Sequence, residues 1–79
     1  MEDKPLAPQF GALVRRLRQE AGMSQESFAL HCGINRAYMG QIERGRKTVT
    51  IETARKVAYG LGLTLSQLLK YLETEQSIE

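Results

Sequence analysis

The sequence has few of the residues that stabilise many short chains through disulfides or metal sites, and no long apolar run that would anchor it in a membrane. It contains one cysteine, two prolines and no tryptophan among 79 residues. Cys32 alone cannot form an internal disulfide, and Cys32 with His31 supplies too few ligands for a structural zinc site. No apolar run approaches the roughly 18 residues that cross a bilayer, and no charged-then-apolar leader opens the chain. We therefore expect a cytoplasmic protein held together by packing, and neither a disulfide-stapled secreted domain nor a membrane protein.

The composition is that of one small globular domain with an uneven charge distribution. Hydrophobic residues make up 42% and charged residues 25% of the chain, and the formal net charge is +2. Basic residues outnumber acidic ones between Arg15 and Lys56, whereas the segments on either side are acidic. A basic middle flanked by acidic ends favours an anionic partner.

Apolar residues recur at helical spacing along the chain, and residues that cap helices separate the periodic segments. The side-chain oxygens that can cap helix starts belong to Ser24, Asn35, Thr50 and Thr64. Thr64 and Gln67 have the spacing of a capping box. The glycines that stand where helix ends favour a left-handed residue are Gly33, Gly45 and Gly62. The pattern predicts five helices, over residues 8–21, 25–32, 36–44, 51–61 and 65–73.

One short segment, Thr48–Ile51, has the composition of a strand. Because no second strand is available to pair with it, we predict a loop that leads into a helix cap. The predicted fold is therefore all-α, with five short helices around one small core in residues 8–73. Residues 1–7 are predicted to form an N-terminal arm, and residues 74–79 a flexible acidic tail.

The second and third predicted helices are separated by only about three residues. So short a connection requires a steep crossing, a small residue at the contact and a residue that allows a sharp turn. Ala29 is the small residue at the contact, and Gly33 allows the sharp turn. This spacing is typical of a helix-turn-helix.

A helical wheel separates the third helix into two faces. Tyr38, Met39 and Ile42 point toward the predicted core. The opposite face, here called the reading face, comprises Arg36, Ala37, Gly40, Gln41 and Arg44. Its small central residues would permit close approach to a groove.

The polar groups of this region suit double-stranded DNA. Arg36 can donate two parallel hydrogen bonds to guanine, and Gln41 can pair with adenine. Arg44, Arg46 and Lys47 crowd around Gly45 in what we call the basic loop, where cations would meet phosphates.

Three segments, 23–29 (MSQESFA), 33–39 (GINRAYM) and 41–46 (QIERGR), resemble the phage-repressor/Cro-type (XRE-like) helix-turn-helix transcription regulators. The resemblance covers about residues 10–72 and implies a five-helix, lambda-repressor-like domain in which helices 2 and 3 form the helix-turn-helix. Within the family, the segment Arg36–Met39 and the small size resemble restriction–modification controller proteins. Short antitoxins and prophage repressors share these features, so these alternatives stay open.

The resemblance also implies roles for individual residues. Base reading would fall to Arg36, Ala37 and Gln41. Contacts with DNA phosphates would come from Gln25, Tyr38, Arg44, Arg46 and Lys47. Arg18 and Glu43 would form a structural, mostly buried salt bridge. The sequence departs from the commoner pattern at Phe28, where leucine is usual, and at Ala37 and Gly40, which leaves more of the readout to DNA shape.

The last predicted helix carries an apolar stripe that one small domain can bury only in part. The stripe consists of Leu65, Leu68, Leu69 and Leu72. Family members of this size usually pair through this helix, so the resemblance implies a two-fold homodimer. Such a dimer would place two recognition helices about 34 Å apart, one turn of a palindromic operator.

The leading hypothesis is a sequence-specific regulator of transcription that binds a DNA operator. RNA polymerase or another protein is a further candidate partner. The alternative is a protein-interaction module of antitoxin or anti-regulator type on the same fold. An enzyme is disfavoured, because no nucleophile–base pair with an orienting acid and no phosphate loop is present. No cofactor, metal or membrane partner is predicted.

Overall fold

The computed structural model describes the backbone of residues 5–77 and the side chains of residues 5–74. Its helices are α1 (Leu6–Glu20), α2 (Gln25–Cys32), α3 (Arg36–Glu43), α4 (Ile51–Gly60) and α5 (Leu65–Ser77). No strand occurs within residues 5–77, and Thr48–Thr50 form a loop that leads into α4. The predicted five-helix, all-α fold is confirmed.

The first helix begins two residues earlier than predicted. Pro5, with extended backbone angles of φ −58° and ψ 136°, stands at the N-cap, and Leu6 is the first helical residue. The predicted arm over residues 1–7 is therefore too long, and residues 1–4 lie outside the described part of the chain. Pro8 still falls in the first turn, where its missing N–H leaves no hydrogen bond unmade.

The remaining differences lie at helix ends. Helices α1, α3 and α4 each end one residue before the predicted position, at Glu20, Glu43 and Gly60. Helix α5 runs to Ser77, so the predicted tail boundary at residue 74 is wrong. No glycine or proline interrupts residues 65–77, and nothing local stops the helix at 73. Residues 78–79 lie outside the described part.

Side-chain caps hold the helix starts at the predicted positions. Ser24 Oγ accepts a hydrogen bond from the Ser27 backbone N–H at 3.1 Å. Thr50 Oγ1 accepts one from Thr53 N–H, also at 3.1 Å. The capping box is complete, because Thr64 and Gln67 exchange two side-chain-to-backbone bonds of 2.9 and 3.1 Å. Asn35, which caps α3, is described with the candidate site.

The core draws on all five helices. Its largest fully buried side chains are Leu13, Val14, Phe28, Met39, Ile42, Val57 and Leu68. Met39 and Ile42 tie α3 to this core, as predicted, so the opposite side of α3 is left for solvent. No helix within residues 5–77 is long and apolar enough to cross a bilayer.

Helices α1 and α3 approach each other at Gly11. A Cβ at this buried glycine would collide with the Ile42 carbonyl oxygen and lie 2.9 Å from the Glu43 carbonyl oxygen. A larger residue would therefore push α3 away from α1. The sequence analysis missed Gly11, although a glycine inside a helix costs about 1 kcal/mol relative to alanine and so signals a packing reason.

Candidate nucleic-acid interface

Helices α2 and α3 form the predicted helix-turn-helix. Gly33 ends α2 with a left-handed φ of 71°, and its N–H donates to the Leu30 carbonyl at 3.1 Å. Ala29 is 1% exposed and gives the two helices the small residue that their crossing requires. Asn35 then caps α3 by accepting hydrogen bonds from Ala37 and Tyr38 backbone N–H groups at 2.8 and 3.2 Å. The start of α3 is thus fixed by the turn and by its cap.

Most of the predicted reading face is open to solvent. Arg36, Ala37 and Arg44 are exposed and Gln41 is half-buried, so the three predicted base-reading residues share the side of α3 away from Met39 and Ile42. Tyr38 is half-buried against the core, at the border between the two sides. Packing against the core therefore holds the ring of Tyr38 in place.

Gly40 differs from the prediction, because it is buried beneath two side chains. A Cβ at Gly40 would lie 3.4 Å from Arg44 Nη1 and 3.4 Å from Gln25 Oε1. These two side chains therefore cover the glycine and reduce its exposure. The expectation that Gly40 is an open part of the reading face is wrong.

Gln25 lies in a buried network that joins α1, α2 and α3. Arg18 donates to both carboxylate oxygens of Glu43, from Nε at 2.7 Å and from Nη2 at 3.0 Å. Gln25 Nε2 donates to the same carboxylate at 3.1 Å. Arg18 Nη1 also donates to the Met23 carbonyl at 2.9 Å. Arg18 and Glu43 are each 8% exposed, so the pair is buried.

The electrostatics of this network are balanced internally. The hydrogen bond to the Glu43 carboxylate, more than its charge, raises the pKa of Arg18 despite the opposing effect of burial. The predicted pair of Arg18 and Glu43 is thus present in the structure. Gln25, predicted to bind phosphate, gives its amide nitrogen to Glu43, a role that sequence reasoning missed. Its second amide hydrogen and its backbone N–H at the start of α2 are the groups left for DNA.

Arg36 has a partner that the sequence analysis did not identify. Its Nη1 lies 3.8 Å from Glu26 Oε1, and both side chains are about 70% exposed, at 68% and 72%. An exposed ion pair of this length contributes about 0–1 kcal/mol, so the guanidinium can exchange Glu26 for another acceptor. The signal for this contact was the position of Glu26 in the first turn of α2, opposite the first turn of α3.

The basic loop follows α3 directly. Gly45 adopts a left-handed φ of 74° and packs against Pro8, which fixes the turn out of the helix. Arg46 and Lys47 are exposed just beyond it. Because the nearby Glu43 carboxylate is paired with Arg18, the positive charge of the loop is not neutralised by it. The reading face and the basic loop together form one cationic surface.

The predicted dimer stripe is divided by the fold. Leu68 is 0% exposed and belongs to the core, so it presents no apolar surface to a partner and the prediction is wrong for this leucine. Leu72 is 6% exposed and packs in the core, but it also lines the groove described next. Leu65 is half-buried, and Leu69 is 41% exposed. They face a groove of about 260 Å³ between α1, α4 and α5, here called the apolar groove, whose other lining residues include Leu6, Phe10 and Ile51.

A capped recognition helix, a glycine turn and a cationic surface define a helix-turn-helix DNA-binding domain. The family profile described as "Helix-turn-helix domain" matches residues 9–72. The chain therefore belongs to this family, which consists of DNA-binding transcription regulators and not of enzymes.

Individual relatives are restriction–modification controller proteins. Control protein C.MunI of a Mycoplasma species is 40% identical over 67 residues, which cover 84% of this chain and 90% of the relative. The crystal structure of C.AhdI from Aeromonas hydrophila is 35% identical, covers 78% of this chain and 94% of that one, and superposes with a TM-score of 0.74. The C.Esp1396I tetramer bound to its natural 35 base-pair operator is 26% identical over 92% of this chain and 96% of that one, with a TM-score of 0.83.

Proposed function

We propose that the protein is a controller-type transcription regulator that binds a pseudo-palindromic DNA operator in the major groove as a homodimer. The observation that carries this proposal is the exposed face of α3, bounded by the basic loop and anchored to the core by Met39 and Ile42. An α-helix fits the major groove of B-DNA, and cations beside it meet the phosphates on the groove's edge. DNA lies in a reducing compartment, which agrees with a single buried cysteine.

Base reading is assigned to Arg36, Ala37 and Gln41. Arg36 releases Glu26 and donates two hydrogen bonds to guanine, and Gln41 pairs with adenine. Ala37 lets the helix approach the base edges and offers a methyl contact to thymine.

Phosphate contacts are assigned to the groups that flank α3. Arg46 and Lys47 extend from the basic loop, and Tyr38 reaches the sugar–phosphate backbone from the border of the helix. Gln25 contributes through its backbone N–H and its remaining amide hydrogen, because its other amide hydrogen binds Glu43. These contacts position the helix without reading sequence.

The homodimer is assigned to the apolar groove. Leu6, Ile51 and Leu69 are large apolar residues exposed at 52%, 73% and 41%, and all three line the groove. A second copy that covers the groove would remove this apolar area from water. That a related controller assembles as a tetramer on its operator supports association between copies of this chain. Contact with RNA polymerase stays a prediction.

The test is selection of binding sites from a random pool of double-stranded DNA at about 0.15 M salt. We expect enrichment of a two-fold symmetric motif with half-sites about one helical turn apart. A single half-site would contradict the dimer, and an unenriched pool would contradict sequence-specific binding and favour the protein-interaction module.

The selected site then tests the orientation of α3. Arg36→Ala should weaken binding to this site by about 1–3 kcal/mol and relax the preference at one base pair of each half-site. Arg16→Ala, on the exposed side of α1, is the matched control and should leave the base preferences unchanged. If Arg36→Ala binds every sequence as the wild type does, α3 is not the recognition helix.

A further inference from the structure

We propose that Arg44 reads a base, as a guanine-specific residue of the recognition helix, in place of the phosphate contact that the family resemblance implies. This inference rests on the proposed function and assigns one further specificity-determining residue to it. The carrying observation is that the Arg44 guanidinium lies back along α3, over Gly40.

The backbone explains this placement. Arg44 is the first residue after α3, and helical side chains lean toward the N-terminus and cover the preceding turn. The residue one turn before it is Gly40. A Cβ placed there would lie 3.4 Å from Arg44 Nη1 and 3.7 Å from Nη2. Both terminal nitrogens of the guanidinium therefore lie over the middle of α3.

The surroundings form a shallow trough that fits the guanidinium. Gly40 forms its floor, and the Gln25 side chain bounds it, with Oε1 also 3.4 Å from the Cβ position of Gly40. Gln25 is itself held by its hydrogen bond to the Glu43 carboxylate. Ala37, one turn before Gly40 on the same helix, is small and exposed. A long side chain at position 40 or 37 would displace the guanidinium from the reading face.

Arg44 also has its hydrogen-bonding capacity available. Within the part of the chain that the structure describes, Arg44 makes no hydrogen bond and no ion pair, whereas Arg18 is committed to Glu43 and Arg36 contacts Glu26. A guanidinium has five N–H donors in a planar fork that matches the O6 and N7 acceptors of guanine. The Arg44 guanidinium, with its hydrogen-bond donors available, thus lies at the centre of the face that we propose enters the DNA major groove.

The chain separates Arg44 from the other cations of the loop. Gly45, with its left-handed φ of 74°, turns the backbone away from the axis of α3 directly after Arg44. Arg46 and Lys47 follow this turn and are exposed. The cations before and after Gly45 therefore face different parts of the DNA: Arg44 the base edges, Arg46 and Lys47 the phosphates.

The test compares Arg44→Lys with Arg55→Lys, a matched substitution on the exposed side of α4, in the full chain. Both substitutions keep the charge, but only the first removes a bidentate fork from the trough. Binding is measured on the selected operator and on its single base-pair variants, at several salt concentrations. We expect Arg44→Lys to reduce discrimination at one G·C pair of each half-site by about 5- to 150-fold. The dependence of affinity on salt should stay as in the wild type, because the number of cations is unchanged.

Arg55→Lys should keep every base preference of the wild type. The inference is overturned if Arg44→Lys also keeps every preference, or if Arg44→Ala weakens binding to all sequences evenly and reduces the salt slope by about one unit, the behaviour of a phosphate contact. Circular dichroism of each variant verifies that the fold is retained. A wild-type protein without any sequence preference would refute the proposed function itself, which distinguishes that failure from failure of the Arg44 assignment.

Discussion

At the scale of the residue, the geometry of α3 depends on one buried charge pair. Arg18 and Glu43 are each 8% exposed and share two hydrogen bonds, and Gln25 adds a third to the same carboxylate. A buried pair of this kind can cost as much in desolvation as its attraction returns, but losing one partner leaves the other charge buried and unpaired. The pair therefore keeps the end of α3 in place.

Glu43→Gln should lower the free energy of unfolding by about 3–5 kcal/mol, because the Arg18 guanidinium loses its buried counterion. Urea denaturation followed by circular dichroism measures the change. The exposed Glu73→Gln is the control and should shift stability by less than about 0.5 kcal/mol. Replacing both partners, Arg18→Met with Glu43→Leu, should restore stability relative to Glu43→Gln, and a double variant that is no more stable would contradict the charge argument.

Cys32 supplies a prediction about pH. Burial raises the pKa of its thiol to about 11 from the ordinary value of 9.0. Between these two values the unfolded chain loses the proton while the folded chain keeps it, so the free energy of unfolding falls as pH rises from about 9 to 11. Cys32→Ala removes this contribution. Urea titrations of both proteins across that range should give a steeper loss for the wild type, and parallel curves would contradict a buried thiol.

At the scale of the element, α3 is positioned by contacts at both ends and along one side. Asn35 caps its start, and Gly11 allows α1 to approach the carbonyl groups of Ile42 and Glu43 at its end. A glycine in a helix is normally unfavourable, so we asked which atoms a larger residue would meet at Gly11 and at Gly40. At Gly11 it would meet backbone atoms of α3, whereas at Gly40 it would meet side-chain atoms.

Gly11→Ala should lower the free energy of unfolding by about 1–3 kcal/mol, because the new methyl group meets rigid backbone atoms of α3. Gly40→Ala should raise it by up to about 1 kcal/mol, since the nearest atoms to its Cβ would be side-chain atoms of Arg44 and Gln25 at 3.4 Å and alanine favours the helix. Thermal or urea unfolding of the two variants provides a matched comparison. Stabilisation by both substitutions would show that α1 and α3 are not in tight contact at Gly11.

At the scale of the whole molecule, the cationic surface and the apolar groove share a segment of chain. Lys47 and the following residues Thr48–Thr50 line the groove, and Lys47 also belongs to the basic loop. A second copy in the groove would therefore lie beside the cations that we propose to contact phosphates. Association of two chains and binding of DNA are expected to support each other by mass action.

Leu69→Glu should convert the proposed dimer to a monomer, because it places a charge in the apolar groove, and the fold should be retained since the residue is 41% exposed. Sedimentation velocity measures the mass, and circular dichroism measures the helix content. Leu30→Glu is the matched control, because Leu30 is 81% exposed on α2 and does not line the groove. A Leu69→Glu protein that stays dimeric would move the interface to another surface.

Features that depend on neighbours along the chain could be predicted from the amino-acid sequence. Helical periodicity, capping residues and glycine turns act within four or five residues, so five helices, the caps at Ser24, Asn35 and Thr64 and the turn at Gly33 could be predicted. Helix ends were less accurate, as at Leu6 and Ser77, because local signals there are weak. The segments of the helix-turn-helix also identified the family.

The fold, and not the local sequence, sets which side chains share the spaces between helices. It buried Leu68 and Leu72 while leaving Leu69 exposed, although all three belong to the same apolar stripe. It also directed Gln25 to Glu43 and folded Arg44 over Gly40. The physical reason is that burial and hydrogen-bond partners depend on the distances between helices far apart in sequence, which periodicity along one helix does not contain.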